Sequence, residues 1–207
     1  KLSRNGLIAD ISVLCVLLVM GLYHLVLFAL RPGDRSTLYF GLLSLFLGYR
    51  SSIGGEHVLY DLLEFIPGSW IYSGALASTP AAASCALAFT SQIFPSEAHG
   101  RTVRLACFAF GMIGILFFVM PPQITSSGFR AVLYGIAVLV VYLLYVAMLA
   151  VWRSREGAAI FLLGFIVFGL FTLHDLLSVP LGGGLNLIAH YGFVIFILYQ
   201  SVFLSMR

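Results

Sequence analysis

The chain reads as an all-α, polytopic membrane protein, a bundle of seven transmembrane helices. Two observations predict this. Hydrophobic residues make up 61% of the chain and charged residues only 9%, far from the balance of a soluble domain. The apolar residues also come in runs of about 20, the length that crosses a hydrocarbon core roughly 30 Å thick. Such runs have no polar face to meet water, so they are not the helices of a soluble core. One bundle accounts for all 207 residues, and a single domain over 1–207 is expected.

The spans fall at 6–30, 37–54, 69–93, 102–120, 130–152, 157–179 and 185–206. The first run is long enough to cross, so no cleavable signal peptide is expected, and Lys1 is read as the edge of a longer chain. His24 lies near the inner end of this span, as an interfacial or packing histidine. Arg31-Pro32-Gly33-Asp34-Arg35-Ser36 then makes a punctuated turn. After the second span, residues 56–66 are too short and too acidic to cross. Val58, Leu59, Leu62, Leu63 and Ile66 line one helical face, and Pro67-Gly68 ends it. A short helix on the outer surface is expected there, either a lid on the bundle or a platform for an external domain.

The third span, with SGALASTPAAASCALAFTSQ, is dense in the small residues that let helix backbones approach closely in lipid. Pro80 sits in its middle. Two readings stay open: a tightly packed central helix, or a hinge and polar seam lining a cavity. The last two spans form a hairpin around Leu181-Gly182-Gly183-Gly184, and the final helix runs to Ser205-Met206-Arg207 as if continuing into an output segment.

Basic residues near the span ends set the orientation. Arg31, Arg35, Arg101, Arg104, Arg153, Arg155 and Arg207 gather on one side. Lys1, Arg4 and Arg130 lie on the other, with the acidic loop of Glu56, Asp61 and Glu64. The N-terminus is therefore expected outside and the C-terminus in the cytoplasm. Trp70 and Trp152 fall at the expected interfaces, where amphipathic rings settle.

Ionisable groups inside a membrane carry a functional hypothesis by default. Helical rise puts Arg50 roughly 20 Å up the second span from the cytoplasmic face, and His174 and Asp175 about 27 Å up the sixth. Asp10 and His190 lie within about two turns of the outer ends of their helices. Asp10, Arg50, His174, Asp175 and His190 thus share the outer third of the membrane. Arg50 and Asp175 are the natural ion pair, since each is expensive alone. Three readings stay open: a structural pair that fixes register, a pair that exchanges partners between two packings, and a ligand or proton pocket.

Absences exclude other classes. A retinal protein needs a lysine in its last helix, and the lysine here is Lys1. His174 and His190 stand on separate helices with no HxxxH or HxxH pair, so neither a metal site nor a zinc hydrolase is expected. Cys15, Cys85 and Cys107 lie inside apolar runs without ligand spacing and read as small apolar side chains. No phosphate loop, serine elbow or CxxC appears, so no catalytic residue and no cofactor is expected. Seven spans do not divide into the matching halves of many transporters. A small proton- or ion-coupled transporter or channel using the outer cluster remains the alternative.

The segments GLYHLVLFALRPGDRSTLYFGLLSLFLGYRSS, FTSQIFPSE, GLFTLHDLLSV and HYGFVIFILYQSVFLSMR resemble, in order and spacing, the membrane region of bacterial seven-transmembrane receptors with diverse intracellular signalling modules, the 7TMR-DISM family. The resemblance covers essentially the whole chain. It implies a non-enzymatic signal-transduction module that crosses the bacterial cytoplasmic (inner) membrane several times. It also implies an N-terminal periplasmic sensor domain before residue 1, often of carbohydrate-binding-like β-fold. After Arg207 it implies a C-terminal cytoplasmic signalling domain: a histidine kinase, a diguanylate, adenylate or guanylate cyclase, or a phosphatase. Both would belong to the same polypeptide, and the receptor would form a homodimer through the output domain. Membrane lipid is the expected surrounding, and nucleic acid is not an expected partner. Arg50 and Asp175 fall within the resembling segments without a family role to assign.

Overall fold

A computed structural model of the chain describes residues 4–54, 65–178 and 189–206. Its described residues form seven α-helices and no strand: α1 Arg4–Leu30, α2 Arg35–Gly54, α3 Gly68–Ile93, α4 Gly100–Val119, α5 Pro122–Trp152, α6 Ala158–Ser178 and α7 Ala189–Met206. Among the described residues, three stretches are long and apolar enough to cross a bilayer: Ile11–Leu30, α4 and α5. The chain divides into two compact units, Lys1–Leu143 and Leu144–Arg207.

Local chemistry explains the helix ends. Asp34 precedes α2, and its Oδ1 accepts the Ser36 amide at 3.0 Å, satisfying one of the donors a helix start leaves open. Helix α5 begins eight residues before the expected edge at 130. Pro122 suits a first helical position, where no amide partner is needed. The hydroxyls of Thr125, Ser126 and Ser127 turn back onto the carbonyls of Pro121, Gln123 and Ile124. The polar PPQITSSG stretch, which lacks the look of a span, therefore winds into the helix. Arg130 consequently lies about 12 Å inside α5 rather than at its start. The 31 residues of α5 run about 46 Å, well beyond the hydrocarbon thickness.

After α5, the Arg155 amide reaches the Ala150 carbonyl at 3.0 Å and the Ser154 amide reaches that of Val151 at 2.9 Å. This is the paired-bond helix stop that places one residue in the left-handed region. Here that residue is Ser154, at φ 52°.

In the first unit α1 packs on α2, α2 on α3 and α3 on α4. Small residues make the close approaches. A side chain at Gly41 would meet the Gly21 carbonyl at 3.0 Å, and one at Gly21 would meet that of Gly41 at 3.1 Å. The two backbones therefore touch. A Cβ at Gly114 would come within 3.3 Å of the Ala77 carbonyl on the α3–α4 seam. Helix α3 buries fourteen of its residues, Pro80 among them, whereas α4 buries three and turns Leu105, Phe108, Ile115 and Val119 outward. That contrast makes α3 the inner helix of this unit and α4 a peripheral one.

Several polar residues of α3 bond back along the helix itself. Ser78, Thr90 and Ser91 hydroxyls donate to the carbonyls of Ala75, Ala86 and Ala88. Ser84 is different: its hydroxyl crosses to the Cys107 carbonyl of α4 at 3.0 Å, and the Cys107 thiol answers to the Ser84 carbonyl at 3.4 Å. Cys107 is thus a polar cross-link as well as a packing residue. Cys85 is buried, and Cys15 is exposed on α1.

His24 is a packing residue. It is 2% exposed and meets Phe40 edge-on at 4.6 Å, while Phe40 in turn lies 5.1 Å from Phe89. These contacts set the end of α1 against the start of α2 and the end of α3, so Arg31, Arg35, Arg101 and Arg104 flank the same end of the unit. Trp70 and Phe118 pair edge-on at 5.8 Å, and Trp70 is exposed, as is Trp152.

In the second unit α6 packs on α7 through rings. Phe161 stacks on Phe165, Phe165 meets Phe196 edge-on, and Phe168 contacts both Phe193 and Phe196. The surface segment expected at 56–66 lies outside the described residues except for Phe65 and Ile66. Ile66 packs against the cluster of Ile53, Ile71 and Ala75. The hairpin turn at 181–184 and Arg207 also lie outside them.

Candidate functional site

Arg50 is in the last turn and a half of α2, half-buried. Its neighbours are fixed by the residue before it. The Tyr49 hydroxyl donates to the Ile71 carbonyl at 3.1 Å, and its ring fills the space left by Gly74, where a Cβ would sit 2.6 Å from the hydroxyl. That clamp ties the end of α2 to the start of α3. It leaves Arg50 on the adjoining face, with its guanidinium carbon 6.0 Å from the centre of the Phe129 ring on α5. A cation over an aromatic face is held electrostatically by the ring quadrupole. The hydroxyls of Ser51 and Ser52 turn back onto the carbonyls of Gly48 and Tyr49. The arrangement holds a positive charge at a helix seam against an apolar ring, where it can attract an anionic group or a carboxylate.

Of the other residues singled out in the sequence, His174 lies on α6 and is exposed. Asp10, Asp175 and His190 belong to α1, α6 and α7 by backbone; their side chains lie outside the described ones, and with them the Arg50–Asp175 pair. Pro80 is buried within α3, and the helix runs through it. Its ring removes the amide that the Leu76 carbonyl would otherwise accept. Among the described residues no three of His, Cys, Asp and Glu gather as a metal site would require.

Besides the Tyr49 clamp, two further polar contacts between helices stand out that sequence reading passed over. One is the Ser84–Cys107 exchange. The other is Gln200, wholly buried in α7, whose Nε2 donates to the Phe161 carbonyl of α6 at 3.2 Å. Gln200 carried a signal of its own: it is the amide in the apolar run YGFVIFILYQSVFL. Ser84 carried none, being one of many small residues in its helix.

Apolar helices of spanning length, closed by glycine contacts and ring stacking and turning large apolar side chains outward, define an α-helical membrane protein. The chain belongs to the family described as 7TM diverse intracellular signalling, whose model matches residues 7–207. It is therefore the transmembrane part of a signalling-receptor family. No curated protein and no solved structure gave a match.

Proposed function

We propose that this region acts as one seven-helix transmembrane domain of a bacterial receptor. It relays a stimulus from the periplasmic face, or from the outer third of the bundle, to a cytoplasmic output domain after Arg207. The observation that carries the reading is the family match over 7–207. A chain made almost wholly of membrane helices has helix rearrangement as its means of passing information. The N-terminus lies outside and the C-terminus in the cytoplasm of the inner membrane. A sensor domain precedes the helices, and the output domains pair the receptor into a homodimer.

Asp10, Arg50, His174, Asp175 and His190 form the ligand-binding or switch cluster in this reading, and Pro80 is its hinge. The support is the placement of Arg50: a half-buried cation resting on Phe129 keeps only a weak tie, of about 0.5–2 kcal/mol, and gains by exchanging it for a carboxylate. Single replacements Arg50→Gln and Asp175→Asn in the full-length receptor are expected to bias output and lower stability by about 1–3 kcal/mol, because the partner charge is left uncompensated. Parental output and parental melting in both variants would remove the switch. Ion or proton flux through liposomes holding this chain alone would replace the relay with a transporter. Blotting source membranes for this segment gives a second check, since a receptor requires a band far above 22.6 kDa.

A further inference from the structure

The α6–α7 seam is built on one repeating line. Phe161, Phe165 and Phe168 supply it from α6; Phe193 and Phe196 supply it from α7. The spacing from 193 to 196 to 200 continues the same line on α7, so the next inward position is Gln200, and it is wholly buried. An amide stands where the pattern calls for a third ring. Stacked rings of one kind define a register poorly, because a ring displaced by a turn meets another ring. A polar side chain at an interior seam position defines register at some cost in stability.

The surroundings of Gln200 are shaped to it. A Cβ on Gly164 would lie 3.0 Å from the Gln200 Nε2 and 3.0 Å from the Tyr199 Cβ, so the glycine is a notch that seats the amide. From the notch Nε2 reaches the Phe161 carbonyl at 3.2 Å. The other half of the amide is unused: Oε1 is buried, and no donor among the described residues reaches it. A buried amide with one of its two ends unsatisfied sacrifices a hydrogen bond that any position nearer the membrane surface would restore. The seated state is thus held by shape and one bond, and opposed by a missing one. That balance suits a contact made to be released.

We propose that Gln200 is a register pin: seated in the Gly164 notch it fixes α7 against α6, and its withdrawal is the step that lets α7 move along or about its axis. The proposal rests on the relay reading above for its use, but the pin itself is testable without it. Moving one element by a turn past another is a known form of two-state switching, about 5.4 Å along a helix.

The test is a distance measurement on the chain in lipid nanodiscs. Spin labels carried by non-natural residues replace Leu170 on α6 and Leu198 on α7, both exposed, leaving the three cysteines in place. The pair lies on a diagonal, so an axial slip changes the distance directly. The parent should show one dominant distance with a minor shifted population. Gln200→Leu removes the bond and the unsatisfied oxygen together and should enlarge the shifted population at least threefold. Gly164→Ala fills the notch and should do the same with the amide still present. Superimposable distributions in the parent and in whichever of the two variants fold would overturn the pin, whatever happens to melting temperature. In the full-length receptor the same variants should change basal output by at least threefold. A distance shift with unaltered output would keep the pin and reject the relay.

Discussion

The first unit and the α6–α7 hairpin close their seams by opposite means. Between α1 and α2 the contact is backbone on backbone at Gly21 and Gly41, and on the α3–α4 seam it is Gly114 against Ala77. Between α6 and α7 five phenylalanines hold the helices through their rings. Lipid supplies each isolated helix with an apolar surrounding, so helix association rests on packing and polar contacts rather than on escape from water. Small-residue seams gain from close approach and cannot accept an added atom. Ring seams gain from large contact areas and tolerate displacement, so they need a separate element to set register. Tyr49 and the Ser84–Cys107 exchange reinforce a geometry that glycines already determine; Gln200 supplies one that the rings leave open.

The sharpest way to break this contrast is to remove a ring. Phe165→Ala, at a position 5% exposed between Phe161 and Phe196, should cost about 3 kcal/mol by the loss of contacts and the cavity left behind. Unfolding by denaturing detergent reads it; a loss under about 1 kcal/mol would show that the rings face a mobile, lipid-like seam. Next comes an added side chain in the close seam. Gly41→Val drives a branched group into the Gly21 carbonyl and should destabilise by about 2 kcal/mol. Its counterpart is Gly169→Ala on α6, where a Cβ meets nothing within 4 Å, and a gain of about 0.5–1 kcal/mol is expected from the stiffer helix. Equal effects at the two glycines would erase the distinction between the regions.

Polar contacts give smaller effects. Tyr49→Phe deletes the hydroxyl bonded to the Ile71 carbonyl but keeps the ring in its Gly74 notch, for a loss of about 0.6–1.5 kcal/mol in the range seen for hydrogen bonds between membrane helices. Ser84→Ala, with both residues of its exchange only partly buried, should lose about 0.6 kcal/mol. A loss above about 2 kcal/mol in Ser84→Ala would mean that hydroxyls, not glycines, hold α3 to α4. Both are read by the same unfolding titration.

Much of the helical plan is visible residue by residue. The 61% hydrophobic content and the runs of about 20 require membrane helices whatever their neighbours do. The basic turn at Arg31–Arg35 and the Pro67-Gly68 break mark the boundaries of α2 and α3 by turn chemistry alone. The early start of α5 was hidden for a definite reason. Its first two turns are polar, and hydroxyls that bond back to carbonyls satisfy themselves within the helix, so hydropathy undercounts them. The candidate site divides in the same way. An arginine in an apolar span announces itself by cost, yet its rest on Phe129 depends on a helix that enters three helices later in the chain.

Class and material follow from the residues alone: apolar helices, a membrane surrounding, a helix rich in small residues, and an amide within the last apolar run. Which faces meet was settled in the folded molecule. To lipid, the outward face and the seam face of an apolar helix look alike, so no periodicity separates Leu163 from Phe165 or Gly169 from Gly164. The choice among them is made by fit between particular surfaces, a Cβ absent here and a ring present there, and fit is a property of pairs of helices rather than of the residues in either one.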